Sequence, residues 1–201
     1  EWILASASPR RRELLAELIN NFDILPAKGE EKADETLSPQ ELVKALARQK
    51  AEEVASLEVA KGKAVLGSDT VVALGNRVLG KPKDAAEAFQ MLSDLSGKTH
   101  YVHTGVCMLI PQNEGGRYAL TEVASTEVVF EILSNQKILD YIATGSPMDK
   151  AGAYGIQDGG LVKEIKGSFS NVVGLPLELC KEMLEKANKL VHGIGKGGEN
   201  D

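Results

Sequence analysis

The stretch Ala64-Val65-Leu66-Gly67-Ser68-Asp69-Thr70-Val71-Val72-Ala73-Leu74 is apolar at both ends and interrupted only from Gly67 to Thr70. A run this apolar and β-branched reads as a central strand buried on both faces. Gly75-Asn76 then closes a two-residue hairpin, with Arg77-Val78-Leu79 as the return strand. An aspartate in the middle of such a strand needs a reason, because a buried carboxylate is costly unless it is paired, hydrogen-bonded or bound to a metal. Asp69 is therefore the foremost candidate for chemistry in the chain. The bland alternative is a turn aspartate at a bulge between two shorter strands. Lys81, between Gly80 and Pro82, is biased to an extended conformation by the proline, which sets a lysine near the Asp69 hairpin.

Upstream, the apolar Trp2-Ile3-Leu4-Ala5 is followed by Ser6-Ala7-Ser8-Pro9-Arg10-Arg11-Arg12 and then Glu13-Leu14-Leu15-Ala16-Glu17-Leu18. This is strand, polar turn, helix. Ser8 suits the N-cap and Pro9 the first helical position, so the turn offers free backbone N–H groups. Together with the positive end of the helix dipole and three guanidinium groups they make an anion site, suited to a small ligand such as a nucleotide phosphate. A basic helix face that only solubilises the chain is the competing reading. Phe22-Asp23-Ile24-Leu25-Pro26-Ala27 is a short second strand leading into a carboxylate-rich loop over residues 29–35. Ser38-Pro39-Gln40-Glu41 is a capping box that opens a long helix to about residue 57. Its apolar stripe runs through Leu42, Val43, Leu46, Ala47, Ala51 and Val54, and Lys50 falls on that stripe. Either the lysine stem packs on the core while its ammonium reaches water, or the ammonium is aimed into a cleft at a bound anion.

Downstream, Asp84 caps a helix to about residue 95, with Glu87 completing a box-like start and Gly97 ending it. Residues 99–110 and 118–132 read as long antiparallel strands joined by the polar loop 111–117. His100 and His103 lie three apart on the first of these and so point to opposite faces, which does not suit a shared metal; they are ordinary strand residues. Ser134 caps a helix ending at Gly145, and a glycine-punctuated loop covers 147–157. A final hairpin of 160–165 and 169–173 leads into a C-terminal helix to about residue 190. No fixed-period repeat or linker divides the chain, so residues 1–190 form one domain and 191–201, with four glycines, a disordered tail.

Composition narrows the function. The chain of 201 residues carries a formal charge of −6, with 43% hydrophobic and 26% charged residues, the make-up of a globular protein. A negative protein lacks the basic face that DNA wrapping or an anionic membrane requires. With nine aromatics it also lacks a stacking platform for nucleic acid. No apolar stretch reaches the ~20 residues that span a bilayer and no signal-type segment opens the chain, so a cytoplasmic enzyme acting on a small molecule is expected. Cys107 and Cys180 lack paired spacing and read as reduced, buried and structural. There is no Gly-x-x-x-x-Gly-Lys-Ser/Thr loop of the kind that cleaves at a γ-phosphate.

Five short motifs, in order, give the chain a family likeness: Ser-Ala-Ser-Pro-Arg-Arg at 6–11, Gly-Ser-Asp-Thr at 67–70, Gly-Lys-Pro at 80–82, Asp-Lys-Ala-Gly-Ala-Tyr-Gly-Ile-Gln at 149–157 and Asn-Val-Val-Gly-Leu-Pro at 171–176. The pattern resembles the Maf family over residues 2–190. That resemblance implies a nucleoside triphosphate pyrophosphatase, cleaving between the α- and β-phosphates. It also implies an α/β fold with a long, twisted mixed sheet, flanking helices and two lobes around a cleft, similar to inosine triphosphate pyrophosphatase. Carried over residue by residue, it makes Asp69 the general base and a ligand of a divalent cation, Mg²⁺ or Mn²⁺, with Glu30 as the acidic position opposite. Arg10, Thr70 and Gln157 match positions that select substrate, and Ser6, Arg11, Lys50 and Lys81 match polar positions lining the phosphate site. The paired arginines after Pro9, together with Gln157, resemble the branch acting on dTTP and UTP rather than the 7-methyl-GTP branch. A glutamine amide offers both a donor and an acceptor to the edge of uracil or thymine. Asp158, following Gln157 where many members carry a small residue, is a departure. A nucleotide-binding regulatory protein without turnover is the alternative class. The expected partners are a nucleotide and a second copy in a homodimer, with no nucleic acid and no membrane.

Overall fold

The β-branched and apolar segments form three long central strands, β3 (Ala64–Leu74), β5 (Thr99–Pro111) and β6 (Arg117–Phe130). The computed structural model describes residues 1–34, 36–113 and 115–193, apart from the side chains of 192 and 193. Shorter strands β1 (Trp2–Leu4), β2 (Phe22–Ile24), β4 (Arg77–Leu79) and β7 (Val162–Lys166) complete a mixed sheet of seven, in the order β2-β1-β3-β5-β6-β7 with β4 also on β3. β1 runs parallel to β2 and β3, whereas β3, β5, β6 and β7 pair antiparallel.

The edge of β3 away from β5 is paired in two separate pieces. β1 covers it as far as the Leu4–Leu66 pair, and β4 covers it again only from the Val72–Leu79 pair onward. Between them lies a window, centred on Asp69, that has a strand neighbour only on the β5 side. Crevices beyond the carboxyl ends of parallel strands are where open α/β sheets bind ligands.

One face of the sheet is covered by α2 (Pro39–Ala55), which Ser38 caps through the Glu41 N–H and which Pro39 opens. Its buried stripe of Leu42, Val43, Leu46, Ala47, Ala51 and Val54 is the one read from spacing. The helix backbone itself rests on the sheet at two glycines. A Cβ on Gly67 would collide with the carbonyl oxygen of Ala47, and one on Gly105 with that of Val43. Gly105 pairs with Asp69, and Gly67 precedes Asp69 by two, so both glycines flank it on the same face.

The opposite face holds two separate apolar cores. Leu4, Leu15, Leu66, Met108, Leu175 and Met183 gather beneath α1 (Pro9–Ala16) and α6 (Leu177–Gly193). Val72, Leu92, Leu95, Val128, Phe130 and Ile138 gather beneath α3 (Ala85–Leu95) and α4 (Asn135–Ala143). Along β3 on this face the order is Leu66, Ser68, Thr70, Val72, so a polar belt divides the cores. Thr104 and Thr126 continue the belt, and both are fully buried. The two-lobed shape therefore follows from an interruption in the apolar pattern of the strands.

Two expectations need correction. Residues 169–173 are not a strand but a short helix, α5 (Phe169–Val173), started by the Ser168 side chain accepting from the Asn171 N–H. Asn171 is fully buried there and donates to the Val102 carbonyl and the Thr126 hydroxyl, so the belt's need for a polar plug overrides the β-branched Val172-Val173. β7 pairs with β6 instead of forming a terminal hairpin. α6 runs to Gly193, three residues into the segment expected as a tail, and the remaining residues, 194–201, lie outside those described. Cys107 and Cys180 are both free and buried. Among the described residues no helix is long and apolar enough to cross a membrane.

Gly105→Ala should destabilise the protein by about 1–3 kcal/mol, because neither backbone can yield without shifting α2 off the sheet. Urea unfolding midpoints at constant m-value measure this. A second expectation concerns His100, which sits in the α3–α4 lobe with its Nε2 2.7 Å from the Tyr154 hydroxyl and its ring edge-on to Phe130. Burial pulls its pKa down to about 4. The imidazole is thus neutral in the fold and takes up a proton near pH 6.5 once unfolded, so stability is complete above about pH 6.5 and is lost as pH falls toward 4. The loss at pH 5 amounts to ~2 kcal/mol, and His100→Phe should flatten the stability profile between pH 7 and 5.

Candidate active site

Three segments converge on the open window of β3: the turn into α1, the middle of α2, and the loop between β2 and α2. The Ser8 side chain accepts from the Arg11 N–H and Pro9 opens the helix, which delivers the arginines at its first turn. Arg11 then acts as a clasp. Its Nε donates to the Gly174 carbonyl at 2.8 Å, one terminal nitrogen to Thr70 Oγ1 at 3.0 Å and the other to Ser6 Oγ at 3.4 Å. Thr70 Oγ1 is in turn 2.8 Å from Thr104 Oγ1 in the belt. Burial lowers the Arg11 pKa, opposed by the nearby Asp69 carboxylate, yet a guanidinium stays charged at any physiological pH. Arg10 is partly buried and faces Asp149 at 3.6 Å, which ties α1 to the loop following α4.

On the α2 face, Lys50 Nζ lies 2.5 Å from Asp69 Oδ1 and 2.8 Å from Glu31 Oε1. The ammonium turns to the buried aspartate and not to bulk water. Asp69 is 7% exposed. Burial raises its pKa above the ordinary carboxylate range, against the pull of Lys50 and Arg11.

The acidic loop is gripped along its backbone by α2. Glu53 accepts from the N–H groups of Lys28 and Gly29, while the Gln49 amide donates to the Glu30 carbonyl and accepts from the Lys32 N–H. This grip decides which carboxylate faces Lys50: it is that of Glu31, one residue beyond the expected Glu30, whose contact with α2 is through its backbone. Sequence reasoning missed Glu31; the signal that could have found it was the spacing of Gln49, Lys50 and Glu53, three polar residues beside the apolar stripe of the helix.

Ser6, Arg10, Arg11, Lys50, Asp69 and Thr70 are thus brought together around the window. Lys81 and Gln157 are exposed, and neither side chain makes a hydrogen bond or ion pair with this cluster among the described residues. The Gly152 N–H donates to the Gly80 carbonyl at 3.1 Å, joining the Lys81 turn to the loop that leads to Gln157. Gln157 itself lies in a single 3-10 turn, Ile156–Asp158.

Residues 1–187 match the family model described as Maf-like protein. The chain belongs to the Maf family. Among its Maf relatives are proteins named dTTP/UTP pyrophosphatase: one from Thermococcus gammatolerans, 48% identical over 185 residues that cover 91% of this chain and 95% of that one, and one from Desulfitobacterium hafniense, 45% identical over 97% of this chain and 86% of the relative. The fold is shared more widely. The structure of the Staphylococcus aureus Ham1 protein superposes with a TM-score of 0.50 at 15% identity, covering 92% of this chain and 98% of that one.

In this Maf chain the Arg11 clasp crosses from α1 to β3 and to the turn before α6, so three elements rely on one fork of donors. Arg11→Lys keeps the charge but loses the fork, leaving at least one of its acceptors unpaired at a cost of about 1–3 kcal/mol. The expected outcome is a lower thermal midpoint together with a raised KM for triphosphate. An unchanged midpoint would mean that water replaces the clasp.

Proposed function

We propose that this chain hydrolyses dTTP and UTP to the nucleoside monophosphate and pyrophosphate. The observation that carries the reading is Asp69, a buried carboxylate at the open window of the central strand, with Lys50 in contact and the Arg11 guanidinium close by. A carboxylate whose proton affinity is raised by burial is suited to general-base work. In the reaction it takes a proton from a water whose oxygen attacks the α-phosphorus. The bond to the α–β bridging oxygen breaks, and pyrophosphate leaves with that electron pair. Lys50, Lys81, Arg10, Arg11 and Ser6 supply the charge and hydrogen bonds that hold the departing phosphates. Lys50 then exchanges its carboxylate partners for phosphate oxygens, which frees Asp69 to act.

Asp69 and Glu31 both approach Lys50 Nζ, so two hard oxygen donors face one point. Among the described residues no three His, Cys, Asp or Glu side chains converge as a metal cage. That donor set fits Mg²⁺ or Mn²⁺, which is commonly held by one or two carboxylates plus substrate phosphates. When bound there, the cation would neutralise triphosphate charge and polarise a phosphoryl oxygen. Asp69 and Glu31 are the residues that would hold it, in place of the Asp69 and Glu30 pair expected from sequence.

The pyrimidine choice rests on the names of the relatives and on Gln157. Its amide matches the donor and acceptor edge of uracil or thymine, and Arg10 and Thr70 are the other two positions that the family resemblance assigns to substrate selection. A purine is larger and sets its hydrogen-bonding edge at a different place, and an amide left unpaired by that displacement costs about 1–3 kcal/mol, or roughly tenfold to hundredfold in selectivity. Pyrophosphate release from UTP, dTTP, CTP, GTP and 7-methyl-GTP, with and without added Mg²⁺ or Mn²⁺, tests the whole reading. UTP and dTTP should lead, and Asp69→Asn should lose about 10²–10⁴ in rate while still binding nucleotide. A preference for 7-methyl-GTP would transfer the chain to the other branch, and binding without turnover would make it a regulatory nucleotide sensor.

A further inference from the structure

Gln157 sits on a turn whose internal hydrogen bonds, Asp158 N–H to the Gly155 carbonyl and Gly159 N–H to the Ile156 carbonyl, do nothing to fix it against the rest of the molecule. What does so is the next side chain. Asp158 Oδ2 accepts from the Tyr141 hydroxyl of α4 and from the Ser146 hydroxyl, each at 2.6 Å. The Tyr141 oxygen also accepts from the Gly155 N–H at 2.9 Å, closing a ring around the turn that carries Gln157. From Ser146 the network continues: Lys150 Nζ donates to the Ser146 carbonyl at 2.7 Å and hydroxyl at 3.1 Å, and to Asp149 Oδ1 at 2.9 Å. Asp149 reaches Arg10 at 3.6 Å. The Lys150 stem lies across Gly155 so closely that a Cβ there would meet its Cε at 2.8 Å. Arg10 and Gln157, from opposite lobes, are thereby joined through one chain of charge-assisted contacts.

The geometry points to Asp158 as a positioning residue for base selection, which fixes the Gln157 turn on α4 and couples it to Arg10. This rests on the reading that Gln157 and Arg10 meet the nucleobase. A carboxylate beside a base-reading glutamine would repel substrate if it faced the cleft, but here both of its hydrogen bonds turn it onto α4 and Ser146. Its removal leaves two hydroxyls without their shared acceptor and, among the described residues, the Gly155 N–H as the turn's remaining hydrogen bond to α4.

The test is kinetic. Asp158→Ala should raise KM for UTP and dTTP about tenfold, lower kcat by less than about threefold, and reduce the UTP-to-GTP ratio of kcat/KM about tenfold. Asp158→Asn, which keeps an oxygen acceptor for the two hydroxyls, should restore most of the ratio. Tyr141→Phe leaves Asp158 in place but removes the hydroxyl that donates to it and that accepts from the Gly155 N–H, should move the ratio in the same direction, and keeps the test available if Asp158→Ala folds poorly. In a Gln157→Ala background, Asp158→Ala should change the ratio no further, since both act through one contact. A variant that melts earlier yet keeps the wild-type ratio, or that lowers the ratio equally with Gln157 absent, would overturn the positioning role. A wild-type protein with no pyrimidine preference would instead overturn the base reading beneath it.

Discussion

Everything at the site depends on how closely the α2 backbone can approach the sheet. At Gly67 and Gly105 the carbonyls of Ala47 and Val43 occupy the space where side chains would stand. Asp69 adjoins both contacts, and Lys50 leaves α2 about one turn beyond Ala47 and two beyond Val43. The 2.5 Å contact between Lys50 and Asp69 is therefore a consequence of backbone-to-backbone packing and not of flexible side chains finding one another. A geometry held by rigid elements is what charge chemistry requires, since misplacement by an ångström costs far more in catalysis than in binding.

The site is costly to the fold. Ser68, Thr70, Thr104 and Thr126 occupy positions along central strands where apolar residues would join the two cores into one, and Ser68 Oγ is buried without a hydrogen-bond partner in the described structure. Asp69 and the Arg11 clasp add desolvated charge. Apolar substitution of such groups commonly stabilises a protein while removing its function. The polar belt divides the core, admits the arginine clasp from α1 and is plugged by Asn171, so the same interruption makes both the cleft and its walls.

The carboxylates divide by partner in the same way. Glu53 holds loop backbone, Glu31 holds Lys50, Asp149 meets Arg10 and Asp158 holds α4 and Ser146. Several acidic residues of this negatively charged chain thus orient the cations and the turn that would meet a polyanionic substrate.

The local signals were legible in sequence because they depend on neighbours in the chain. Ser8-Pro9 and Ser38-Pro39 start helices where expected, Asp84 caps α3, Gly75-Asn76 turns the hairpin, and the apolar run around Asp69 becomes the central strand. A buried aspartate and a lysine on an apolar stripe were each conspicuous alone, since burial of charge is an energetic anomaly that composition exposes. Tertiary structure decided what local signals cannot encode. Phe169–Val173 is helical because Asn171 must reach carbonyl and hydroxyl groups on β5 and β6. Glu31 rather than Glu30 meets Lys50 because α2 grips the intervening backbone. Asp158, a departure from the motif in sequence, becomes a clamp only because α4 brings Tyr141 within 2.6 Å. Each of these depends on which distant surface a side chain meets, and that is settled by packing across the sheet, not by the residues on either side.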